Sequence, residues 1–143
     1  QLMNTSPSAE QGRSQVLQPP DWPRPKGYAN GVAVCGRQVF IAGMIGWDAE
    51  QRFPSDDFVA QTRQALANIV AVLKEAGGRP EHLVRMTWFV TDKREYLAAG
   101  RGVGQAFREL IGCYSVAMTA VQVVALIEDQ AKIEIEATAV IPD

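Results

Sequence analysis

The chain has 143 residues, of which 47% are hydrophobic and 21% charged, and its formal net charge is -2. This length fits one domain with a hydrophobic core, and the composition differs clearly from that of a disordered chain. No Lys or Arg cluster stands out on any predicted element. The sequence therefore offers no positive surface for a phosphate backbone, and we expect no nucleic-acid partner.

The scarce residue types exclude further classes of protein. The sequence has no run of about 18 apolar residues and no signal-peptide pattern, so we expect no membrane partner and a cytoplasmic location. Cys35 and Cys113 lack the spacing of a zinc site, and we interpret them as buried or half-buried thiols. His82, the single histidine, precedes an apolar strand and is interpreted as a surface or strand-edge residue.

The first 25 residues are polar and include four prolines between positions 19 and 25. Proline lacks a backbone N–H and favours irregular structure. We therefore predict an N-terminal arm over residues 1–25 and one domain over residues 26–143. Trp22 is large and apolar, which favours an arm that lies against the domain or a neighbouring subunit.

A hairpin and a long helix are predicted next. Two β-rich runs, GVAVCG and QVFIAGMIG, meet at Gly36-Arg37, which predicts a hairpin over residues 31–46. Asp56 and Asp57 predict a helix cap, and the helical run ends at Gly77-Gly78. Five residues of this run recur at helical spacing and should form its buried face: Phe58, Thr62, Leu66, Ile69 and Leu73.

The second half of the chain predicts a strand, a helix and another hairpin. The alternating segment HLVRMTWFVTD is typical of a strand, and residues 93–110 follow a helical pattern. Gly100, Gly102 and Gly104 weaken that helix and indicate either close packing or a looser helix. Two final strands, AMTAVQVVALI and AKIEIEATAVI, are joined by a polar turn at residues 128–130.

The order hairpin, helix, strand, helix, hairpin predicts the α+β class, with one mixed β-sheet and two helices on one of its faces. The final strands remain apolar on both sides, since Val121 and Val123 alternate with Ala120 and Val124. The sheet face opposite the helices is therefore predicted to be too apolar to face water. We expect it to be buried by self-association.

Several segments, in this order and spacing, resemble the RidA/YjgF family of reactive intermediate deaminases. They are Gly27-Tyr28, VFIAGMIG, QTRQALANIVAVLKEAGG, VRMTWFVTD, AVQVVAL and KIEIEATAV, and they cover the chain from about Lys26 to Val140. The resemblance implies a RidA/chorismate mutase-like fold and a homotrimer with small-molecule clefts between its subunits. It also implies hydrolysis of reactive enamines or imines, with neither a metal nor an organic cofactor.

Two of the functional residues that this resemblance implies are retained. Tyr28 corresponds to the family's aromatic residue at the pocket entrance, and Glu134 corresponds to its water-activating glutamate. Imine hydrolysis needs a group that takes a proton from water and passes one to the leaving nitrogen, which a carboxylate in a partly desolvated pocket can do. Glu136 shares the strand face of Glu134, but we interpret it as a solvated carboxylate.

Other family positions are changed. Ala42-Gly43-Met44 stands where the family has Ser-Gly-Gln, and Gly100 stands where the family has an asparagine. Val116-Ala117-Met118-Thr119 stands where the family has the motif Pro-Ala-Arg-Ser, so Met118 occupies the position of the substrate-binding arginine. Methionine cannot form the two-pronged hydrogen bonds with which arginine holds a carboxylate. We therefore expect the usual small 2-imino acids to bind poorly.

We expect a larger and less polar ligand, for example an aromatic or ring-derived enamine. The predicted substrate-binding residues are Tyr28, Gly43, Met44, Trp47, Ala117 and Met118, with Trp88 and Tyr114 as further candidates. A tryptophan in an alternating strand, such as Trp88, is more typical of the core than of a pocket. Arg24, Arg52 or Arg101 could replace the missing arginine, although each is more typical of a solvated surface charge.

Functions from different classes remain open. The first is a cofactor-free hydrolase in which Glu134 activates water, Tyr28 positions an enamine or imine, and Met118 shapes an apolar subsite. The second is a trimeric protein that binds a small metabolite without converting it, which the loss of the arginine favours. RNA cleavage, a third function attached to some relatives, is disfavoured by the pI of about 5.4 and by the single His82.

Overall fold

A computed structural model describes residues 14–143 of the chain. The first 13 residues of the predicted arm lie outside the described residues. Across residues 14–143 the chain forms six strands, three helices and a 3₁₀ turn. The elements are β1 (Ser14–Leu17), β2 (Gly31–Val34), β3 (Arg37–Ile45), α1 (Phe58–Glu75), the 3₁₀ turn (Pro80–His82), β4 (Leu83–Val90), α2 (Lys93–Ala98), α3 (Gly100–Leu110), β5 (Ala117–Gln122) and β6 (Ile133–Ile141).

The strands form a four-stranded sheet and a two-stranded sheet. The larger sheet has the order β3, β6, β4, β5, in which β6 is antiparallel to β3 and β4 while β5 is parallel to β4. This mixed sheet confirms the predicted α+β class. The smaller sheet pairs β1 with β2 in antiparallel orientation. Part of the predicted arm is thus a strand, while the boundary at residue 25 stays a prediction.

The first predicted hairpin is wrong. The strand β2 pairs with β1 and β3 pairs with β6, so the two runs that meet at Gly36 belong to different sheets. A side chain at Gly36 would collide with the backbone of Ile141 in β6, and Gly36 has φ of +149°. Glycine therefore lets the chain pass from one sheet to the other at this point, where turn propensity alone predicts a reversal.

The second predicted hairpin is also wrong. The chain crosses from β4 to β5 through α2 and α3, a connection long enough for the two strands to run parallel. The strand β5 ends at Gln122, and the apolar residues after it form a loop in which Val124 and Ile127 are 104% and 94% exposed. Gln61 holds the end of this loop, because its side chain donates to the Gln130 carbonyl at 3.0 Å and accepts from the Lys132 N–H at 2.8 Å.

The helix α1 confirms its prediction closely. Asp57 is the N-cap residue, and its carboxylate accepts a hydrogen bond from the Ala60 N–H at 2.9 Å. The helix ends at Glu75, just before Gly77, which has φ of +78°. All five residues of the predicted apolar face are buried, and α1 packs with that face against β3 and β6: Phe58, Thr62, Leu66, Ile69 and Leu73.

The predicted helix over residues 93–110 is two helices, α2 and α3, which are separated at Ala99. The glycines of α3 explain its packing. A Cβ at Gly102 would lie 2.8 Å from the Val59 side chain, so glycine allows α3 to approach α1 closely. A Cβ at Gly100 would meet no heavy atom within 4 Å, so that glycine leaves open space instead.

The burial of the two cysteines and the histidine differs from the expectation. Cys35 and Cys113 are both exposed, because each lies in a connection rather than in a strand. His82 is buried at the start of β4, and its Nδ1 accepts a hydrogen bond from the Arg79 N–H at 2.9 Å. This contact fixes the 3₁₀ turn and draws the ring inward. None of the helices in residues 14–143 is long and apolar enough to span a bilayer.

The two faces of the larger sheet differ in their cover. Alternate residues such as Met86 and Ile135 are fully buried in the core beneath the helices. The opposite face, which we call the open face, carries Phe40, Phe89, Val121, Glu134 and Glu136. On this face Phe40 is 73% and Val121 is 41% exposed. Exposed apolar side chains of this size are typical of a surface that another molecule covers.

Candidate functional site

A cavity of about 630 Å³ opens beside α3. Its walls come from β4, β5, α2, α3 and the connections on either side of the strands. A cavity of this size, lined mainly by apolar and aromatic side chains, is typical of a small-molecule site. The aromatic side chains that line it are Tyr28, Trp88, Tyr96, Phe107 and Tyr114.

The helix α3 forms one wall of the cavity. Gly100, Val103, Gly104 and Phe107 line it at intervals of three and four residues, so they share one face of the helix. The two glycines contribute no side chain, which widens the cavity at this wall. These glycines lower the helix propensity of the segment, and in the folded chain they leave space for a ligand.

Trp88 forms the apolar floor of the cavity. Its ring centroid lies 6.4 Å from those of both Tyr96 and Phe107. Trp88 is only 2% exposed, and its Nε1 has no hydrogen-bond partner among the described residues. Such a buried donor costs about 1–3 kcal/mol unless a ligand or water supplies an acceptor. Burial also raises the pKa of the Tyr96 hydroxyl, which therefore stays neutral here.

Two of the predicted site residues, Tyr28 and Met118, line this cavity. Tyr28 is 45% exposed at its mouth, whereas Met118 is half-buried and packs against the core. Trp88 and Tyr114, the further candidates, also line the cavity. The structure thus brings the aromatic candidates together around Met118.

Glu134 does not line this cavity. It pairs with Phe89 of β4, whereas Met118 pairs with Met86. Because residues 86 and 89 point to opposite faces of a strand, Glu134 and Met118 lie on opposite faces of the sheet. The predicted catalytic carboxylate and the predicted apolar subsite therefore do not meet within one chain.

Glu134 has a specific local setting on the open face. It is half-buried, and a side chain at Gly43 would collide with its carboxylate. Gly43 lies in a β-bulge between Ile41 and Met44, which brings the backbone of β3 against the carboxylate. Within residues 14–143 the Glu134 side chain makes no hydrogen bond or ion pair. Glu136, two residues later, is exposed.

The remaining predicted substrate-binding residues are placed elsewhere. Met44 packs against the hydrophobic core. Trp47 is half-buried, and its ring packs against Phe53 at a centroid distance of 6.0 Å. Ala117 pairs with Arg85 on β4 and does not line the cavity. Their roles in substrate binding stay predictions.

Comparison with known proteins assigns the chain to a family. Residues 23–141, most of the chain, match the family described as endoribonuclease L-PSP. The chain belongs to the RidA/YjgF family. A RutC family protein of Synechocystis is 31% identical to it over 130 residues, which are 90% of this chain and 97% of that protein.

Other RidA/YjgF proteins are similar along most of the chain. The 2-iminobutanoate/2-iminopropanoate deaminase of Salmonella typhimurium is 34% identical over 113 residues, or 79% of this chain and 86% of that protein. The solved structure of the Rid family protein YyfB from Yersinia pestis has a TM-score of 0.79 at 31% identity, covering 90% of this chain and 99% of that one. Escherichia coli TdcF with bound serine has a TM-score of 0.65 at 30% identity, covering 89% and 98%.

Two cationic side chains that were not predicted from the sequence line the cavity of this RidA/YjgF protein. Arg24, Arg52 and Arg101 are all exposed, and none of them lines the cavity. Arg108 and Lys26 line it instead. The helical spacing of Gly100, Gly104 and Arg108 is a signal that could have identified Arg108, since residues four apart share a helix face.

Proposed function

We propose that the protein is a cofactor-free hydrolase of a reactive enamine or imine, acting in the cytoplasm in clefts between the subunits of a homotrimer. The observation that carries this proposal is Glu134, a half-buried carboxylate that has no partner among the described residues and lies against the glycine bulge of β3. The relative from Salmonella named for 2-iminobutanoate and 2-iminopropanoate deamination supports the reaction class.

The chemistry needs one water molecule and one proton-transfer group. Glu134 takes a proton from water while the oxygen attacks the carbon of the C=N bond, giving a tetrahedral carbinolamine. The carboxyl group passes this proton to nitrogen as the carbinolamine forms, and the carboxylate then takes the hydroxyl proton and delivers it to nitrogen as the C=O bond forms and the C–N bond breaks. An imine and water thus become a carbonyl compound and ammonia, with no net change in oxidation state. An enamine enters the same route after protonation at carbon.

Assembly is required because the cavity and Glu134 lie on opposite faces of the sheet in one protomer. A neighbouring subunit that covers the open face would bring its own cavity edge toward Glu134. The exposed Phe40 and Val121 on this face support such packing, as does the fully exposed Val124 in the adjoining loop. The homotrimer implied by the family resemblance is the arrangement that we propose.

The substrate that we propose is larger and less polar than the usual small 2-imino acids. Met118 lies where the resemblance leads one to expect an arginine, and it offers only an apolar, polarizable surface. Tyr28 at the mouth positions the substrate, and Trp88 provides an aromatic floor. A ring or a branched apolar group fits these surroundings better than the methyl group of 2-iminopropionate.

A second function is a homotrimer that binds a small metabolite in the same clefts without converting it. The absence of an arginine at position 118 favours this alternative, because a pocket that has lost its carboxylate ligand can retain apolar binding. Retention of Glu134 favours the hydrolase.

RNA cleavage is not the function that we propose, although the family description includes the word endoribonuclease. A general acid/base mechanism needs an accessible imidazole or an equivalent group near the substrate. His82 is buried, and its Nδ1 accepts a hydrogen bond from the Arg79 N–H at 2.9 Å. The net charge of -2 also gives little attraction for a phosphate backbone.

Substrate imines generated in place by an amino acid oxidase provide the test. With phenylalanine as the oxidase substrate, the protein is expected to accelerate imine loss and ammonia release well above the spontaneous rate. With alanine, the acceleration should be at least roughly tenfold smaller, because the methyl group of the small imine cannot stack on the aromatic lining around Trp88. Heat-denatured protein is the control. Saturable ligand binding without acceleration on any imine would favour the binding protein instead.

A further inference from the structure

We infer that Arg108 binds the carboxylate of an aromatic 2-imino acid in the cavity and so takes the part of the arginine that Met118 replaces. This inference rests on the proposed function and specifies the chemical class of its substrate. Under this inference carboxylate binding is retained. The cation that provides it lies on α3, as Arg108, and not on β5, where Met118 lies.

The charge of the cavity favours an anion. Lys26 and Arg108 line it, and no Asp or Glu side chain does so among the residues that the structure describes. A carboxylate that enters therefore meets two positive groups and no like charge. Arginine is the better carboxylate ligand of the two, since its planar guanidinium can donate two parallel hydrogen bonds.

The position of Arg108 gives its guanidinium access to the cavity. A Cβ at Gly104, one turn earlier on α3, would lie 3.3 Å from the Arg108 Nη1, so the guanidinium extends over this glycine of the cavity wall. Arg108 makes no ion pair within residues 14–143. Its neighbour Glu109 pairs with Arg63 at 2.8 Å instead. The guanidinium is therefore available to a ligand.

The rest of the cavity favours an aromatic group on the same ligand. Trp88, Tyr96 and Phe107 form a contiguous aromatic surface, with ring centroids 6.4 Å apart in both contacts of Trp88. Offset or edge-on stacking of a ligand ring on such a surface is favourable. Because Gly100 and Gly104 supply no side chains, about 630 Å³ is open, which accommodates a phenyl ring together with a 2-imino acid group.

Calorimetric titration with two matched probes tests this inference on the full chain. Phenylpyruvate is the keto acid that hydrolysis of the aromatic imine would release, and phenylacetone carries a methyl group in place of its carboxylate. Arg108→Gln is expected to weaken phenylpyruvate binding by about tenfold and to leave phenylacetone binding unchanged. Arg108→Lys should fall between the wild type and Arg108→Gln, because it keeps the charge and loses the two-pronged geometry.

Arg101→Gln is the matched control, because Arg101 lies on the same helix, is exposed and does not line the cavity. Its dissociation constant for phenylpyruvate should equal that of the wild type. Equal affinity of the wild type and Arg108→Gln for phenylpyruvate would overturn the inference. So would an equal loss in Arg101→Gln, or a wild type that binds neither probe.

The same titrations separate this inference from the proposed function. If Arg108 governs binding while the wild type accelerates no imine hydrolysis, the hydrolase proposal fails and the ligand assignment stands. If the wild type hydrolyses imines and Arg108→Gln binds phenylpyruvate equally well, the ligand assignment alone fails.

Discussion

Glu134→Gln is expected to lower the rate of ammonia release from a reactive imine by roughly a hundredfold or more, which is the usual contribution of a positioned general base. Glutamine keeps the shape of the side chain beside Gly43 but cannot take a proton from water. Glu134 has no hydrogen bond or ion pair among the described residues, so the substitution should leave folding and ligand affinity almost unchanged. Ammonia release and calorimetric affinity, measured on the same preparation, check both expectations.

Glu136→Gln is the matched control for that variant, since Glu136 is an exposed carboxylate two residues further along the same face of β6. It should retain nearly the full rate. Activity that survives Glu134→Gln and disappears in Glu136→Gln would move the catalytic carboxylate to position 136.

Met118→Arg is expected to raise the rate on 2-iminopropionate by roughly ten- to a hundredfold. Position 118 lines the cavity, so an arginine there can add a charge-assisted hydrogen-bonded pair with a small carboxylate, worth about 1.5–3 kcal/mol. The gain will be smaller if the substrate is displaced at Ala42 and Gly100, two further positions where the family resemblance implies polar residues. The measurement is imine loss with alanine as the oxidase substrate.

Met118→Leu is the control for the change of shape at this position, and it should give no gain. A folded Met118→Arg protein with an unchanged rate would indicate that the pocket has been rebuilt around a different ligand. A wild type that already hydrolyses 2-iminopropionate as fast as it hydrolyses the aromatic imine would show that another group holds the small carboxylate. Arg108 would then be the first residue to test.

Local sequence signals predicted some elements well. In α1 the cap at Asp57, the buried positions and the stop before Gly77 agree with the pattern, because all of these signals act within a few residues. The strand pairings required information from distant residues. At Gly36 the chain changes sheets instead of reversing. The prediction failed there because β1, the strand that pairs with β2, lies in a polar segment without a recognisable periodicity.

The candidate site was predictable only in part. The family resemblance pointed to Tyr28 and Met118, which line one cavity, and to Glu134, which does not. The two positions are separated because Met118 and Glu134 pair with residues of β4 that are an odd number apart and so point to opposite faces. A sequence pattern does not determine this pairing register. Arg108 was missed because a charged residue near the end of a helix usually faces solvent, and only the glycine at position 104 gives its guanidinium a path to the cavity.

The central claim is that the site is completed by a neighbouring subunit, and the mass of the protein in solution tests it most directly. Light scattering across a range of concentrations should find one species with three times the chain mass of 15.6 kDa. In that assembly the open face, with Phe40 and Val121, is covered, and Glu134 meets the cavity of another subunit. A monodisperse monomer of 15.6 kDa would contradict both the shared cleft and the catalytic role of Glu134 within it.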